Sequence, residues 1–195
     1  MTQRILILQG HPDAGGGHLC HRLAAAYADG ARAAGHTVRE VDVASLDFPV
    51  LRRREDWLHG PTPPALLPVQ DELLAAQHVV LCFPLWMGDM PALLKAFLEQ
   101  LLRPAFCGEP PPDGGLPPRR LKGRSARVVV TMGMPAVVYR WVFRAHSVKS
   151  LERNVLGMVG ISPVDETLVG GVDGLGEAGV ARWEARLRRL GERAR

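Results

Sequence analysis

The sequence predicts an α/β domain built on a doubly wound parallel sheet of five strands with helices on both faces. Short apolar runs alternate along the chain with stretches whose apolar residues recur every three or four positions, as strands and amphipathic helices do. Several runs contain no polar residue, which is typical of strands buried on both faces of a parallel sheet. The length of 195 residues and the hydrophobic content of 47% fit one well-cored domain. We therefore expect a single domain over residues 1–195.

The first half of the chain is expected to supply three strands and two helices. Buried strands are recognised as apolar runs that end at glycine or proline, and helices as stretches in which leucine and alanine share one face. Proline is accepted only in a first helical turn. The expected elements are a strand over Ile5–Leu8, a helix over His18–Ala34 ended by Gly35, a strand over Thr37–Val43, a loop over Asp47–Pro64, a helix over Pro64–Gln77 and a strand over Val79–Phe83.

The second half continues the alternation of strands and helices. One stretch interrupts it, because five prolines and three glycines between Cys107 and Pro118 favour irregular structure. The expected elements are a helix over Pro91–Leu102, that irregular stretch, a strand over Arg127–Thr131, a helical segment over Ser147–Leu156, a strand over Ser162–Val169 and a helix over Gly176–Glu192.

The charge of the chain does not indicate nucleic-acid binding. The formal net charge is +4 and the pI is about 9.3, yet 21 of the 24 basic residues are arginine and they are spread along the chain. The arginine groups lack the interleaved aromatic residues that stack on bases. We interpret them as solvated faces and expect no nucleic-acid partner.

The cysteines and the apolar runs indicate the cellular compartment in which the protein is expected. Cys20, Cys82 and Cys107 are odd in number, far apart and in no CxxC pair, so neither a disulfide framework nor a zinc site is expected. A reducing cytoplasm fits this pattern. No apolar run reaches the length of a signal-peptide core or a membrane span, so no membrane insertion is expected.

The first predicted strand is followed by a glycine-rich loop, Gly10–His18, that leads into a helix. Glycines allow backbone N–H groups to turn toward a ligand, and a helix N-terminus carries unsatisfied donors and partial positive charge. This combination favours a phosphate site. The loop matches neither the GxGxxG pattern nor the P-loop pattern. The alternative interpretation is a flexible turn with two surface histidines.

The third predicted strand leads into a second loop, Phe83–Pro91, with large apolar side chains at a turn expected to face water. Exposed Trp86 and Met87 beside a phosphate site suit a flat, largely apolar ring such as a flavin. The alternative is that Trp86 and Met87 fold back into the core.

A third loop, Thr131–Pro135, follows the fourth predicted strand and offers a backbone donor at Gly133. Beyond it, Tyr139 and His146 are residue types that together can hold and relay a proton. The alternative is that both are ordinary packing and surface residues. Because ligand sites in such sheets lie at the carboxyl ends of strands, we expect the three loops to face one crevice.

Four stretches of the chain together carry a resemblance to a known family. They are ILILQGHPD, HLCHRLAAAYADGARAAGH, FPLWMGDMPALLKAFLEQLLRPAF and VTMGMPAVVYRW, which lie between residues 5 and 141. The sequence resembles the flavodoxin-like NAD(P)H dehydrogenases (quinone), a family with azoreductase-like and potassium-efflux ancillary relatives. The resemblance implies a flavodoxin-like sheet in the order 2-1-3-4-5.

The resemblance also implies which residues contact the cofactor, FMN or FAD. The first loop would hold the flavin phosphate, the second would border the isoalloxazine ring, and the third would meet the other edge of that ring. Backbone donors are expected at Leu85, Met87 and Gly133. The matching residues are His11, Gly17, His18, Leu19 and Cys20 in the first loop, Pro84, Leu85, Trp86 and Met87 in the second, Thr131, Met132 and Gly133 in the third, and Tyr139 after it.

The sequence departs from the family pattern in places. Family members often carry a serine or threonine in the first loop, where this chain has Gly15–Gly17. Backbone N–H groups and His18 are therefore expected to contribute more to phosphate binding. In mammalian quinone reductases a tyrosine and a histidine are thought to stabilise the reduced flavin; Tyr139 matches the tyrosine, whereas His146 lies one residue beyond the matching position. Tyr139 and His146 are the catalytic candidates.

The resemblance implies an enzyme in which NAD(P)H delivers a hydride to the flavin and leaves, after which a quinone or similar small acceptor takes its place. It also implies a homodimer in which both chains line each site. Two alternatives remain. A flavodoxin-type electron carrier would share the fold, but such carriers are usually acidic and this chain is basic. A regulatory or ancillary module of a membrane transporter would also keep the flavin.

Overall fold

Five parallel strands form one sheet in the order β2-β1-β3-β4-β5. The computed structural model describes residues 2–108 and 118–195; most of the irregular stretch expected over 107–118 lies outside the described residues. The order confirms the predicted fold class. The strands are β1 (Arg4–Gln9), β2 (Thr37–Asp42), β3 (His78–Pro84), β4 (Ser125–Met132) and β5 (Val164–Gly170).

Helices cover both faces of this sheet. No helix of the described part of the chain combines the length and the apolar character that crossing a bilayer would require. The helices are α1 (Leu19–Ala33), α2 (Arg54–His59), α3 (Leu67–Ala75), α4 (Ala92–Leu101), α5 (Pro104–Cys107), α6 (Ala136–Trp141), α7 (His146–Ser150), α8 (Gly157–Val159) and α9 (Gly176–Glu192), with a π-helical turn over Leu151–Leu156 that joins α7 to α8.

Two of the element predictions were wrong in part. The interval 47–64 was expected to be a loop, but it contains α2, a helix with no buried residue and hence no apolar periodicity to reveal it. The helix expected from Pro64 begins at Leu67, because Pro64 lies in a short 3₁₀ turn before it. The other strands and long helices lie within a few residues of the predicted bounds.

The sheet divides the core into two layers. Alternate residues of β1 face opposite sides, so Ile5 and Ile7 pack with α1 and α9, whereas Leu6 and Leu8 pack with the helices of the other face. All of these side chains are almost completely buried. The uninterrupted apolar runs in the sequence therefore reflect strands covered on both faces.

Helices α1 and α9 touch backbone to backbone. A Cβ atom added at Gly30 would lie 2.0 Å from the carbonyl oxygen of Arg188, and one added at Gly191 would lie 2.1 Å from the carbonyl oxygen of Tyr27. At the other end of α1, Arg22 donates to Glu184 at 2.7 Å and to Glu177 at 3.0 Å. These contacts fix α1, and with it the loop that precedes it.

A buried polar cluster lies at the amino end of the sheet, opposite the three loops. The ring of His78 is stacked beside Tyr27, with 6.2 Å between centroids, and its Nδ1 is hydrogen-bonded to Ser125 Oγ at 2.8 Å. Arg127 donates to Thr167 Oγ1 at 2.7 Å and to Asp165 at 2.9 Å. Burial, assisted by the charge of Arg127, lowers the pKa of His78 to about 4.

The low pKa of His78 predicts a loss of stability in mild acid. The unfolded chain binds a proton on His78 below its ordinary pKa of 6.5, whereas the folded protein does so only near pH 4. Above pH 6.5, His78 is neutral in both states and does not oppose folding. As the pH falls from 6.5 toward 4, protonation of the unfolded chain lowers the free energy of unfolding. Between about pH 7.5 and about pH 5, the free energy of unfolding should therefore fall by about 2 kcal/mol less in His78→Gln than in the natural protein.

Guanidinium unfolding of both proteins at the two pH values measures this difference. His59→Gln, at an exposed position, serves as the matched control and should keep the pH dependence of the natural protein. An unchanged pH dependence in His78→Gln would contradict the assignment to His78.

Candidate functional site

The three loops that the sequence singled out meet at one edge of the sheet. Strands β1, β3 and β4 are neighbours, and each ends at a loop on the same side because all are parallel. The rings of His11 and Trp86, from the first and second loops, lie 6.1 Å apart in an edge-to-face arrangement. The thiol of Cys20, in the first turn of α1, reaches Thr131 at the start of the third loop. The three segments are thus linked by pairwise contacts at this edge of the sheet.

The first loop presents a row of free backbone donors. Gly16 and Gly17 have φ angles of +71° and +78°, a conformation that favours glycine. An added Cβ atom at either position would meet no atom within 4 Å, so open space lies in front of both. The amide N–H groups of residues 16–20 have no acceptor among the described residues. Such an arrangement at the N-terminus of α1 is suited to an anion, and we call residues 16–20 the cradle.

Three histidines stand beside this cradle. The rings of His11 and His18 are stacked, with 3.9 Å between centroids and 15° between planes, and His21 lies 5.4 Å from His11. His18 Nε2 is 2.7 Å from a carboxylate oxygen of Asp13. Burial and then the two neighbouring imidazoles lower the pKa of His11, and its Nδ1 accepts a hydrogen bond from the amide of Asp13. Within the described ranges, no group of three metal-ligating side chains is placed to hold an ion.

A cavity of about 310 Å³ lies next to the first loop, between α1 and β2. Gln9 accepts a hydrogen bond from the amide of His11 through Oε1, while its Nε2 is buried without a partner among the described residues. Both ring nitrogens of His21 are likewise buried and unpaired in the described part of the chain. Sequence reasoning missed both residues, because an apolar strand and a helical register do not mark a polar side chain that faces a cavity.

The second loop projects its apolar side chains away from the core. Trp86 and Asp89 exchange two backbone hydrogen bonds of 2.8 and 2.9 Å, which close a tight turn with Met87 at φ +49°. Trp86 is 52% exposed and the side chain of Met87 is completely exposed. The alternative that Trp86 and Met87 fold into the core is therefore wrong.

One backbone donor predicted in the second loop is not free. The amide of Leu85 donates to the carbonyl oxygen of Thr131 at 2.8 Å, so it extends the hydrogen bonding between β3 and β4. The expectation of a ligand donor at Leu85 was wrong for this reason. The amides of Met87 and Gly133 have no acceptor among the residues that the structure describes. Pro84, which ends β3, is buried.

The third loop is tied to the end of β5. The carbonyl oxygen of Met134 accepts a hydrogen bond from Gly171 at 3.0 Å, and Gly133 remains exposed. A carboxylate oxygen of Asp173 lies 3.0 Å from the place that a Cβ atom on Gly133 would occupy. Asp173 belongs to a short turn far along the chain, and sequence reasoning missed it. The third loop thus combines an open backbone with a nearby carboxylate.

The side chains of Cys20 and Thr131 bond to each other beneath the loops. Their Sγ and Oγ1 atoms are 3.0 Å apart, and the Cys82 thiol donates to the carbonyl oxygen of Cys20 at 3.2 Å. The interaction with Cys20, together with burial, raises the pKa of Cys82 well above its ordinary value. All three side chains are buried, as is Met132. The Cys20 thiol is therefore engaged beneath the loops, whereas the Cys20 backbone amide has no acceptor among the described residues.

The two catalytic candidates do not form the expected pair. Tyr139 is only 2% exposed, and its hydroxyl is hydrogen-bonded to Ser147 Oγ at 2.6 Å. His146 is exposed, so the hydroxyl's partner is Ser147 and not His146. Ser147 could not be singled out from the sequence, because α6 and α7 are separated by a bend with Arg144 and Ala145 at positive φ.

The doubly wound sheet, with unpaired backbone donors and an exposed apolar turn at its carboxyl edge, defines an α/β protein of the flavodoxin type with a candidate ligand site at that edge. A protein-family model described as a flavodoxin-like fold (Flavodoxin_2) matches residues 3–193, and the chain belongs to this family.

Several characterised or solved proteins are similar to this chain. An FMN-dependent NADH:quinone oxidoreductase from Ruegeria pomeroyi is 31% identical over 70 residues, which is 36% of this chain and 34% of that protein; the chain thus matches about a third of that relative. An NAD(P)H:quinone oxidoreductase from Methanothermobacter marburgensis aligns with a TM-score of 0.80, 22% identity and coverage of 98% of this chain and 96% of the other. An FMN-dependent NADH-azoreductase from Bacillus anthracis aligns with a TM-score of 0.75, 15% identity and coverage of 99% of both chains. The two structural likenesses establish the fold.

Proposed function

We propose that the protein is a flavin-dependent oxidoreductase that transfers a hydride from NAD(P)H to a quinone or similar small acceptor. The observation that carries the proposal is the placement of an anion cradle and an exposed apolar turn at the same edge of the sheet. A phosphate joined to a flat aromatic ring needs both features side by side. The names of the similar proteins, which are quinone oxidoreductases and an azoreductase, support the same activity.

The first loop would hold the flavin phosphate. The amides of residues 16–20 have no acceptor among the described residues, and open space lies in front of Gly16 and Gly17. The partial positive charge of the α1 N-terminus would favour a dianion there. His18, held by Asp13, is the side chain placed to supplement these backbone donors. His11 closes the base of this site through its stack on His18.

The second and third loops would border the isoalloxazine ring. Trp86 and Met87 would supply apolar surface, and the amides of Met87 and Gly133, which have no acceptor among the described residues, would supply donors. Apolar contact with a few fixed donors is the usual composition of a cofactor site. Pro84, Leu85, Thr131 and Met132 would shape this part of the site through the backbone and through packing.

When bound, the flavin supplies the capacity to accept and release a hydride, which no amino-acid side chain has. Tyr139, whose hydroxyl is hydrogen-bonded to Ser147 Oγ, would stabilise charge that develops on the flavin during reduction. His146 remains a secondary candidate because it is exposed and lies seven residues along from Tyr139.

FMN is the flavin named for the relatives, and we propose FMN or FAD for this chain. A dinucleotide would need space beyond the phosphate cradle, and the cavity beside Gln9 and His21 is the adjoining space. The flavin that is released on denaturation identifies the cofactor.

The three cysteines are free and buried, which supports a reducing cytoplasmic location.

A homodimer is part of the proposal. Val137, Trp141, Val142 and Phe143 form an apolar patch on and after α6, and each is more than half exposed. Contiguous apolar patches of this kind mark interfaces.

Light scattering should therefore give twice the mass of one chain, and Trp141→Glu should shift the mass toward that of a monomer. The same substitution at Met158, which is exposed outside the patch, is the control; a monomeric natural protein would contradict the dimer.

Closing the cradle should remove the cofactor. Gly17→Asp places a side chain and a negative charge in the open space in front of the free amides, so the purified variant should lose the flavin absorbance and the reduction of quinone by NAD(P)H. Gly123→Asp is the matched control, since Gly123 also has positive φ and open space but lies at the other end of the sheet. Circular dichroism checks the fold of both variants. Full flavin occupancy in Gly17→Asp would show that the loop is only a turn.

Removing the hydroxyl of Tyr139 should slow reduction by NAD(P)H while flavin is retained. Tyr139→Phe deletes an interaction that strengthens only as charge develops, so we expect a rate loss of about 10-fold to 1,000-fold in stopped-flow bleaching of the flavin. Ser147→Ala keeps the hydroxyl of Tyr139 and removes only its partner, so this variant should slow reduction less. His146→Ala should also have a smaller effect than Tyr139→Phe. An unchanged rate in Tyr139→Phe would make Tyr139 a packing residue, and loss of flavin would make it a binding residue.

A further inference from the structure

We propose that a second site, separate from the three loops, binds a phosphate monoester through Arg103, Arg52 and Arg53. The site is a cavity of about 460 Å³ between the segment 49–63 and the C-terminal turn of α4. We call it the Arg103 cavity. Because α4 begins at the second loop and ends near Gln100, the cavity lies at the end of that helix away from the proposed flavin site.

Arg103 is a buried cation whose bonds are incomplete. Its side chain is among the largest fully buried ones, at 2% exposure. One terminal nitrogen donates to the carbonyl oxygens of Gly60 at 2.5 Å and Pro61 at 2.7 Å, and the other is hydrogen-bonded to Gln100 Oε1. The Nε atom is buried and has no acceptor among the described residues. Although Nε itself is enclosed, Arg103 lines the cavity, so its positive charge acts on a ligand bound there.

The charge of Arg103 is offset only in part, by the nearby charge of Asp56. No carboxylate of the described residues lies within 4 Å of it, although Asp56 lines the same cavity. Burial accordingly lowers the pKa of the guanidinium. A buried charge without an opposite charge is costly, and a bound anion would offset this cost. With Arg52 and Arg53, the lining carries a net charge of +2.

The remaining lining indicates what is attached to the anion. Val50, Leu51 and three prolines supply apolar walls, and the volume falls in the range of sites for small organic molecules. Guanidinium groups match phosphate oxygens in geometry, and the exposed side chains of Arg52 and Arg53 are free to close over them. A phosphate ester of a sugar or nucleoside combines the charge and the apolar body that this lining suits.

Calorimetric titration with inorganic phosphate and with adenosine 2′-monophosphate tests the proposal. The titration is done on the purified protein and on Gly17→Asp, so that binding at the first loop is recognised separately. R52Q/R53Q should weaken binding at the Arg103 cavity by about 10-fold or more, the effect of losing a charge-assisted hydrogen bond. R54Q is the matched control, since Arg54 is adjacent but does not line the cavity. Arg103 itself is left intact because it anchors the backbone of the segment 49–63.

Loss of the second binding event in R52Q/R53Q but not in R54Q supports the site. Equal binding in all variants, or binding that disappears completely in Gly17→Asp, would overturn it.

Steady-state kinetics with NADH and with NADPH then distinguish two sources of the phosphate. A rise in KM for NADPH alone in R52Q/R53Q would identify the 2′-phosphate of the reductant, whereas unchanged KM values with lost calorimetric binding would identify a separate phosphorylated metabolite.

Discussion

The backbone contact between α1 and α9 is the constraint on which the candidate site depends. Gly30 and Gly191 bring the two helices so close that a methyl group at either position would collide with a carbonyl oxygen of the other helix. The contact seats α1 deeply on β1 and β3, and Tyr27, Ala28 and Ala31 are completely buried there. Because the helix is fixed in position, its N-terminus presents the free amides of the first loop at a defined place. The position of the cradle thus depends on packing at Gly30, which lies 10 to 14 residues further along the chain.

The rest of the site follows from strand adjacency. Three strands that are distant in sequence end side by side, so each loop needs only a short excursion to reach the others. The hydrogen bond from Leu85 to Thr131 and the contact of Cys20 with Thr131 hold the loop bases together, while the side chains above them remain exposed. A rigid base with an open top suits a ligand that must be held while a second molecule comes and goes.

The sheet was predictable because burial on both faces leaves a direct trace in the sequence. Runs such as Val79–Phe83 have no other common explanation at that length, and the family resemblance, which the family model confirms, gave the strand order. Helix α2 was missed because its six residues bury nothing. The partnership of Tyr139 with Ser147, the engaged amide of Leu85 and the buried cation at Arg103 were beyond reach for a different reason. Each depends on a distance between segments whose relative placement only the folded chain defines.

The two open edges of the sheet limit how copies of this chain associate. Among the described residues, strands β2 and β5 each have one neighbouring strand, and an unpaired edge is a template for addition of another strand. Both carry adjacent charged residues, Arg39 and Glu40 in β2 and Asp165 and Glu166 in β5, and charged side chains on an edge strand disfavour such addition. Extension of the sheet by a strand from another chain is therefore opposed at both borders, which leaves the helical surfaces as the faces on which copies could meet without opening the sheet.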